Sequence, residues 1–188
     1  MSASEAASQQ TDDATEGETR VSAGSPEYWR CVEWLTDEAE ALDQNRVVDW
    51  LGMLHPEIDY RAPLRTTRER AKGLGFSQEG YHFYENHGSL SLRIERLSGD
   101  YAWAEDPPSR TRRFVTNHHV STLDGSGDLR VRSNLLLYRE RLDETDPQLL
   151  VAERVDDLRE VDGRLMLVRR RVLLDHATLL TPNLGIFL

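Results

Sequence analysis

Two consecutive prolines, Pro107 and Pro108, constrain this 188-residue chain more tightly than any other feature. Each ring locks φ, and Asp106, which precedes a proline, is held extended as well. The run that follows, Ser109-Arg110-Thr111-Arg112-Arg113-Phe114-Val115-Thr116-Asn117, continues through His118, His119 and Val120. Polar, β-branched and aromatic residues launched from a rigid Pro-Pro start predict a strand. Successive strand side chains alternate faces, so Arg110 and Arg112 share one face and Arg113 takes the other. An arginine on a core face requires a buried carboxylate, and Glu105, Glu153, Asp156 and Asp157 are the internal acids expected to supply one. On the opposite face, guanidinium forks suit the carboxylates of a neighbouring subunit. The bland alternative is a solvated edge, whose charges oppose aggregation.

The rest of the chain reads as helices followed by strands. Met1 to Gly24 is small, polar and acidic, with too little apolar surface to offset chain entropy, and is expected to be a disordered tail. Residues 25–188 are expected to form one domain. Ser25-Pro26 starts a helix, a serine cap followed by proline at the first helical position. Val32, Leu35, Ala39 and Leu42 give it an apolar stripe. A second short helix carries Val47, Trp50, Leu51 and Leu54, and His55-Pro56 ends it. Ile58 to Arg65 predicts a strand, with Pro63 at an edge or bulge. Thr66 to Gly80 reads as a long loop. A third helix begins near Glu85 to Ser89, buries Leu90, Ile94 and Leu97, and stops at Gly99. Three more strands are expected over Leu129–Leu142, Leu149–Glu160 and Arg164–His176, with turns at Asp124-Gly125-Ser126-Gly127 and Asp162-Gly163. Leu129, Val131, Leu135 and Leu137 share one face. Met166, Val168, Val172 and Leu174 share another, interrupted by Arg170. This is an α+β order in which a curved, mainly antiparallel sheet wraps the helices.

Composition removes several function classes. The formal charge of −10 argues against nucleic acid, whose phosphates need a basic face. One cysteine, Cys31, excludes an intrachain disulfide framework and a self-contained iron–sulfur cluster. No apolar run approaches the roughly 20 residues of a membrane span, and no signal-peptide pattern opens the chain. A soluble cytoplasmic protein is expected. Lys72 is the one lysine among 23 basic side chains, so 22 are arginine, which suits either a GC-rich coding bias or arginine-rich interfaces.

The run Ala102-Trp103-Ala104-Glu105-Asp106-Pro107-Pro108-Ser109-Arg110-Thr111-Arg112-Arg113-Phe114-Val115-Thr116-Asn117 resembles the signature of the small (beta) subunit of bacterial aromatic-ring-hydroxylating, Rieske-type dioxygenases. Residues 38–70, 131–142, 153–163 and 168–188 resemble the same family in the same order. Five blocks at compatible spacing make a specific match. The resemblance implies the cone of the nuclear-transport-factor-2-like superfamily. It also implies a non-catalytic subunit that scaffolds large (alpha) subunits for cis-dihydroxylation of an aromatic compound. The small subunits self-associate as a trimer within a hexamer of three large and three small subunits. The Rieske 2Fe-2S cluster and the mononuclear iron belong to the large subunit, and no cofactor is expected on this chain. Trp103, Pro107, Pro108, Arg110, Arg112 and Arg113 are the candidate interface residues; for Trp103, packing within the domain is favoured over an interface role.

Residue chemistry leaves two rivals, a stand-alone isomerase or dehydratase of the same fold and a small-ligand-binding module. Asp59, Tyr60, His118, His119 and Asn134 lie on predicted strands, where they could line a pocket and supply an acid or base. A perturbed base in a pocket would favour the enzyme, and a filled, dry cone the subunit. A metal site has little support. His118 and His119 point to opposite faces, His82 and His87 lack ligand spacing, and Cys31 stands alone.

Overall fold

The computed structural model describes residues 17–66, 75–98, 108–141, 147–179, 181 and 184–188. Helix α1 (Pro26–Asp43) opens as its sequence dictates, with Ser25 Oγ accepting from the Tyr28 amide at 3.2 Å and Pro26 following the cap. Its buried stripe is Cys31, Trp34, Leu35, Glu38, Ala41 and Leu42. That stripe is rotated from the expected one, because Trp34 turns its large indole inward and donates Nε1–H to Leu165 O at 2.9 Å. Trp29, in the first turn of the helix, is 55% exposed.

Helix α2 (Val47–Leu51) ends before His55-Pro56, earlier than expected. Strand β2 (Leu54–Arg65) has already begun there, and its pairing breaks between Leu54 and Asp59, around the proline that offers no amide. A register shift also falls at Pro63, as a proline in a strand requires. Strand β3 (Phe76–Glu85) replaces the last part of the expected loop. Gly75, at φ 72°, accepts a hydrogen bond from the Thr66 amide at 2.6 Å and brings the strands together, a conformation that a side chain would oppose. Helix α3 (His87–Ser98) buries Leu90 and Ile94 as expected, and Asn86 and Ser89 cap it reciprocally. Its expected stop, Gly99, lies outside the described residues.

The long strands are β4 (Arg110–Leu123), β5 (Leu129–Glu140), β6 (Gln148–Val161) and β7 (Arg164–Leu174). A short strand, β1 (Glu18–Arg20), corrects the tail boundary: Glu18 to Arg20 pairs with Ser121 to Leu123 and is part of the sheet. Residues 1–16 lie outside the described residues. The sheet order is β1-β4-β5-β6-β7-β2-β3, antiparallel except for the β2–β7 pair. Among the described residues the sheet does not close, and β1 and β3 stand at its ends.

Two bulges decide which side chains face α1. In β4, an extra residue falls between Thr116 and His119, with Asn117 at φ 57°, a conformation asparagine tolerates. In β7, the register with β6 shifts between Leu158 and Asp157, so Val168 is extra. The inner set therefore switches from Leu165 and Leu167 to Arg170, Val172 and Leu174, all buried. The expected continuous face through Met166 and Val168 is corrected accordingly, since a period-2 reading cannot survive an inserted residue.

Candidate functional site

The inner face of the sheet carries charge where a ligand pocket would need space. Tyr60, Arg170, Asp156 and Val131 lie in register across β2, β7, β6 and β5. Glu38 descends on them from α1. Its Oε1 accepts from Trp50 Nε1 at 3.0 Å and Arg170 Nη1 at 2.6 Å, and its Oε2 accepts from Arg154 Nη2 at 2.9 Å and Arg170 Nη2 at 2.8 Å. Asp156 completes the set, accepting from Arg170 Nε at 2.7 Å and Arg154 Nη2 at 2.8 Å. All four charged residues are fully buried. Burial by itself raises the Glu38 carboxyl, but the guanidiniums of Arg170 and Arg154 outweigh it and hold it at about 2. Arg170, expected to interrupt an apolar face, is the centre of the interior. Asp156 serves this network rather than Arg113.

The remaining space is taken by the segment Ile186-Phe187-Leu188, which is buried. The Phe187 ring lies 4.4 Å from that of Trp50, with Arg93 over it at 4.5 Å. Tyr60 Oη donates to Leu188 O at 2.7 Å and accepts from the Leu188 amide at 2.8 Å. Burial raises the Tyr60 phenol, so it stays protonated. The cleft left at the mouth is about 50 Å³ and is lined by residues including Leu42, Leu97, Pro108, Thr111, Arg113 and Ile186. That is well below the roughly 300–1,000 Å³ of a small-molecule site.

Among the five pocket candidates, Tyr60 and His118 share the inner side of the sheet, and Tyr60 is spent on Leu188. Asp59 lies on the outer face, paired with Arg61, and His119 and Asn134 also lie outward. His118 lines a wider depression of about 510 Å³ at the β4 bulge, with Asn117, His119, Arg132, Ser133, Asn134 and Glu153. The size of this depression is that of a ligand site, but it is open to solvent and mostly polar, unlike the largely apolar, enclosed pocket that a small molecule needs. Burial and the nearby Arg154 lower the pKa of His118, which leaves a neutral imidazole in a polar surface hollow rather than an acid–base pair in a closed pocket. Among the described residues, no group of three His, Cys, Asp or Glu side chains could hold a metal ion.

Arg113 points inward and Arg110 and Arg112 outward, as alternation requires. The acid that meets Arg113 is Asp43 on α1, correcting the expected set. Glu153 is exposed on the other face, Asp157 pairs with Arg130 at 2.7 Å, and Glu105 lies outside the described residues. Asp43 also accepts from the Arg113 amide at 2.8 Å and Thr111 Oγ1 at 3.0 Å, and Arg113 Nη2 donates to Phe187 O at 2.6 Å. Arg113 is therefore an interior residue. Pro108 is exposed, whereas Trp103 and Pro107 lie outside the described residues. Beside Arg112, the outer face carries Phe114, Leu136 and Leu149, which are 53%, 38% and 52% exposed. Phe114 is in register with Leu136, and Arg112 with Tyr138 and Leu149, so these side chains form one strip.

Sequence reasoning missed Glu38, Asp43 and Arg154. A signal existed for Glu38, which stands one helical turn beyond Trp34 and Leu35 on the buried stripe. Asp156 is internal as expected, with Arg170 and Arg154 as its partners instead of Arg113. Arg154 had no signal, because alternation alone does not reveal the carboxylate descending from another element.

Residues 37–181 match the family described as ring hydroxylating beta subunit. This chain belongs to that family. It is 38% identical over 159 residues to the beta subunit of an N,N-dimethyl phenylurea N-demethylase of Sphingobium sp. (strain YBL2), covering 82% of this chain and 88% of the relative. It is 33% identical over 155 residues to the biphenyl 2,3-dioxygenase beta subunit of Rhodococcus jostii (strain RHA1), covering 80% and 82%. A naphthalene 1,2-dioxygenase structure with indole in its active site superposes with a TM-score of 0.76 at 28% identity, covering 85% of this chain and 84% of that one. A scytalone dehydratase-like protein of Novosphingobium aromaticivorans DSM 12444 shares the fold alone, with a TM-score of 0.58 at 14% identity. The α+β, nuclear-transport-factor-2-like cone and the reading as the small, non-catalytic component of an oxygenase follow from these matches. No helix among the described residues is long and apolar enough to cross a membrane.

Proposed function

We propose that this chain is the cytoplasmic scaffold of a ring-hydroxylating dioxygenase, a trimer of small subunits carrying three large subunits. The large subunits supply the Rieske cluster and the mononuclear iron, and the whole enzyme adds both atoms of O2 to an aromatic ring. The observation that carries this reading is the filled interior, in which Glu38, Arg154, Asp156, Arg170 and Phe187 occupy the place where a pocket enzyme of this fold would hold substrate. A chain whose interior is closed acts through its outside. Contact between neighbouring small subunits falls on the strip of Phe114, Leu136 and Leu149, with Arg112 and Glu153 exposed on the same face. One copy's arginine then meets the next copy's carboxylate, the head-to-tail arrangement of a ring. Pro108 and Arg110 extend the surface at the start of β4.

Co-expression with the partner large subunit, followed by mass measurement in solution and iron analysis of each separated chain, tests this. The expected outcome is a hexamer with all iron on the large subunit. A small subunit that stays monomeric with every large subunit tried, or that retains iron alone, overturns the reading. A second chemistry is favoured by one observation, the 38% identity to an N-demethylase subunit. Product analysis with an N-methylated phenylurea beside biphenyl separates demethylation from ring dihydroxylation.

A further inference from the structure

The segment 186–188 is held the way a peptide ligand is held. Three consecutive carbonyls are each met by a different arginine from a different element. Arg93 of α3 donates Nη2–H to Ile186 O at 2.8 Å, Arg113 of β4 donates to Phe187 O at 2.6 Å, and Arg170 of β7 donates to Leu188 O at 3.1 Å. Tyr60 takes both main-chain groups of Leu188. The Phe187 ring fills a socket between Trp50 and the Arg93 guanidinium. The receptor is braced without help from the segment: Arg93 is tied to Glu85 at 3.0 Å, Arg113 to Asp43, and Arg170 to Glu38 and Asp156. Four guanidinium or hydroxyl groups thus converge on the main-chain oxygens of three successive residues, beside an aromatic socket, as they do in a peptide-recognition groove.

We propose that the mouth of the cone is a binding site for an extended apolar tripeptide with a central aromatic residue, occupied in cis by Ile186-Phe187-Leu188 and able to accept the same sequence in trans. The braced arginines keep their geometry when the segment leaves, and their donors then need new acceptors. A free peptide supplies these acceptors and the ring together, which an apolar molecule alone does not. The inference concerns this chain by itself and stands whether or not the chain assembles with large subunits.

The test uses the full chain and a variant lacking residues 186–188, each with the synthetic peptide acetyl-Gly-Ile-Phe-Leu. The truncated variant is expected to melt several degrees lower, and the peptide to raise its melting temperature progressively with concentration, as ligand linkage requires. The peptide acetyl-Gly-Ile-Ala-Leu, lacking the ring, is expected to do so at least ten-fold less effectively, and the parent chain to respond to neither. A truncated chain that folds only when refolded with the Phe peptide also supports the site. Equal responses to the two peptides, or none, overturn it. Should the truncated chain fail to fold under any condition, Phe187→Ala in the full chain decides. Benzene should raise the melting temperature of that variant and not of the parent, since an emptied apolar socket binds such a ligand, and the absence of a difference refutes the socket.

Discussion

Replacing Glu38 by glutamine should be among the most damaging single changes available in this chain. The carboxylate is fully buried and accepts four hydrogen bonds, from Trp50, Arg154 and twice from Arg170. Glutamine keeps one acceptor oxygen and turns an NH2 group toward guanidinium donors. Two buried cations are then left with Asp156 as their one shared counter-charge. Removing one member of a desolvated pair costs about 3–5 kcal/mol. At about 2–4 °C per kcal/mol for a chain of this size, the melting temperature should fall by roughly 6–20 °C. The pH dependence gives an independent measure. Glu38 titrates at an ordinary 4.5 when unfolded and at about 2 when folded, so the folded state binds its proton less readily. Its contribution is therefore complete above about pH 4.5 and is lost as the pH falls toward 2, amounting to about 3 kcal/mol. Urea denaturation of parent and Glu38→Gln at neutral pH, repeated in steps down to pH 3, reads both effects. The parent should lose stability steeply on acidification, and the variant should lack that part of the slope. A loss below about 1 kcal/mol at neutral pH, or parallel acid curves, would refute the claim that the network is charged and desolvated.

The arginines of β4 should divide into two classes. Arg113→Ala should destabilise the isolated chain by about 3–5 kcal/mol in urea denaturation, because Asp43 is left buried and unpaired. Arg110→Ala, whose pair with Glu140 is largely exposed, should cost under about 1 kcal/mol. Deletion of residues 1–16 should leave the melting temperature unchanged, whereas deletion of residues 1–24 should lower it, since it removes Glu18 from Arg130 and Arg132 and uncovers one end of β4. Differential scanning fluorimetry of both deletions checks this. Cys31 is fully buried, and burial pushes its thiol up to about 11. It should resist iodoacetamide at pH 8 in the native protein and react once the chain is unfolded, as mass spectrometry would record.

Much of this architecture was legible because it depends on local chemistry. The Ser25-Pro26 cap, the apolar positions of α3, the Asp162-Gly163 turn and the odd-numbered apolar face of β5 each follow from a few neighbouring residues. The parts that were not legible depend on contacts between elements. Ser77, Gln78, Glu79 and Gly80 have weak strand preference, and pairing with β2 makes a strand of that region. Val168 looks like any strand valine, yet as a bulge it reverses the faces of β7 and turns Arg170 from an interruption into the keystone of the interior. Nothing near Arg113 named Asp43, which lies 70 positions earlier and reaches it across the packing of α1 on β4. Alternation revealed that some acid was needed, but only the fold could choose it.

Among the described residues, strand β4 has β5 along nearly its whole length on one side, whereas on the other side β1 pairs with Ser121 to Leu123 and the Val21 amide donates to Val120 O at 2.9 Å. Fourteen residues of strand with so short a cover are a template for strand addition by a stray chain. The arginines at 110 and 112 act there as gatekeepers, since two such edges approaching in register bring like charges together. Salt weakens that repulsion, because at about 1 M the screening length falls to roughly 3 Å. Concentrated salt, often chosen to protect proteins in storage, should therefore hasten fibrous aggregation of the isolated chain, and a proteolytic nick just after β1 should hasten it further.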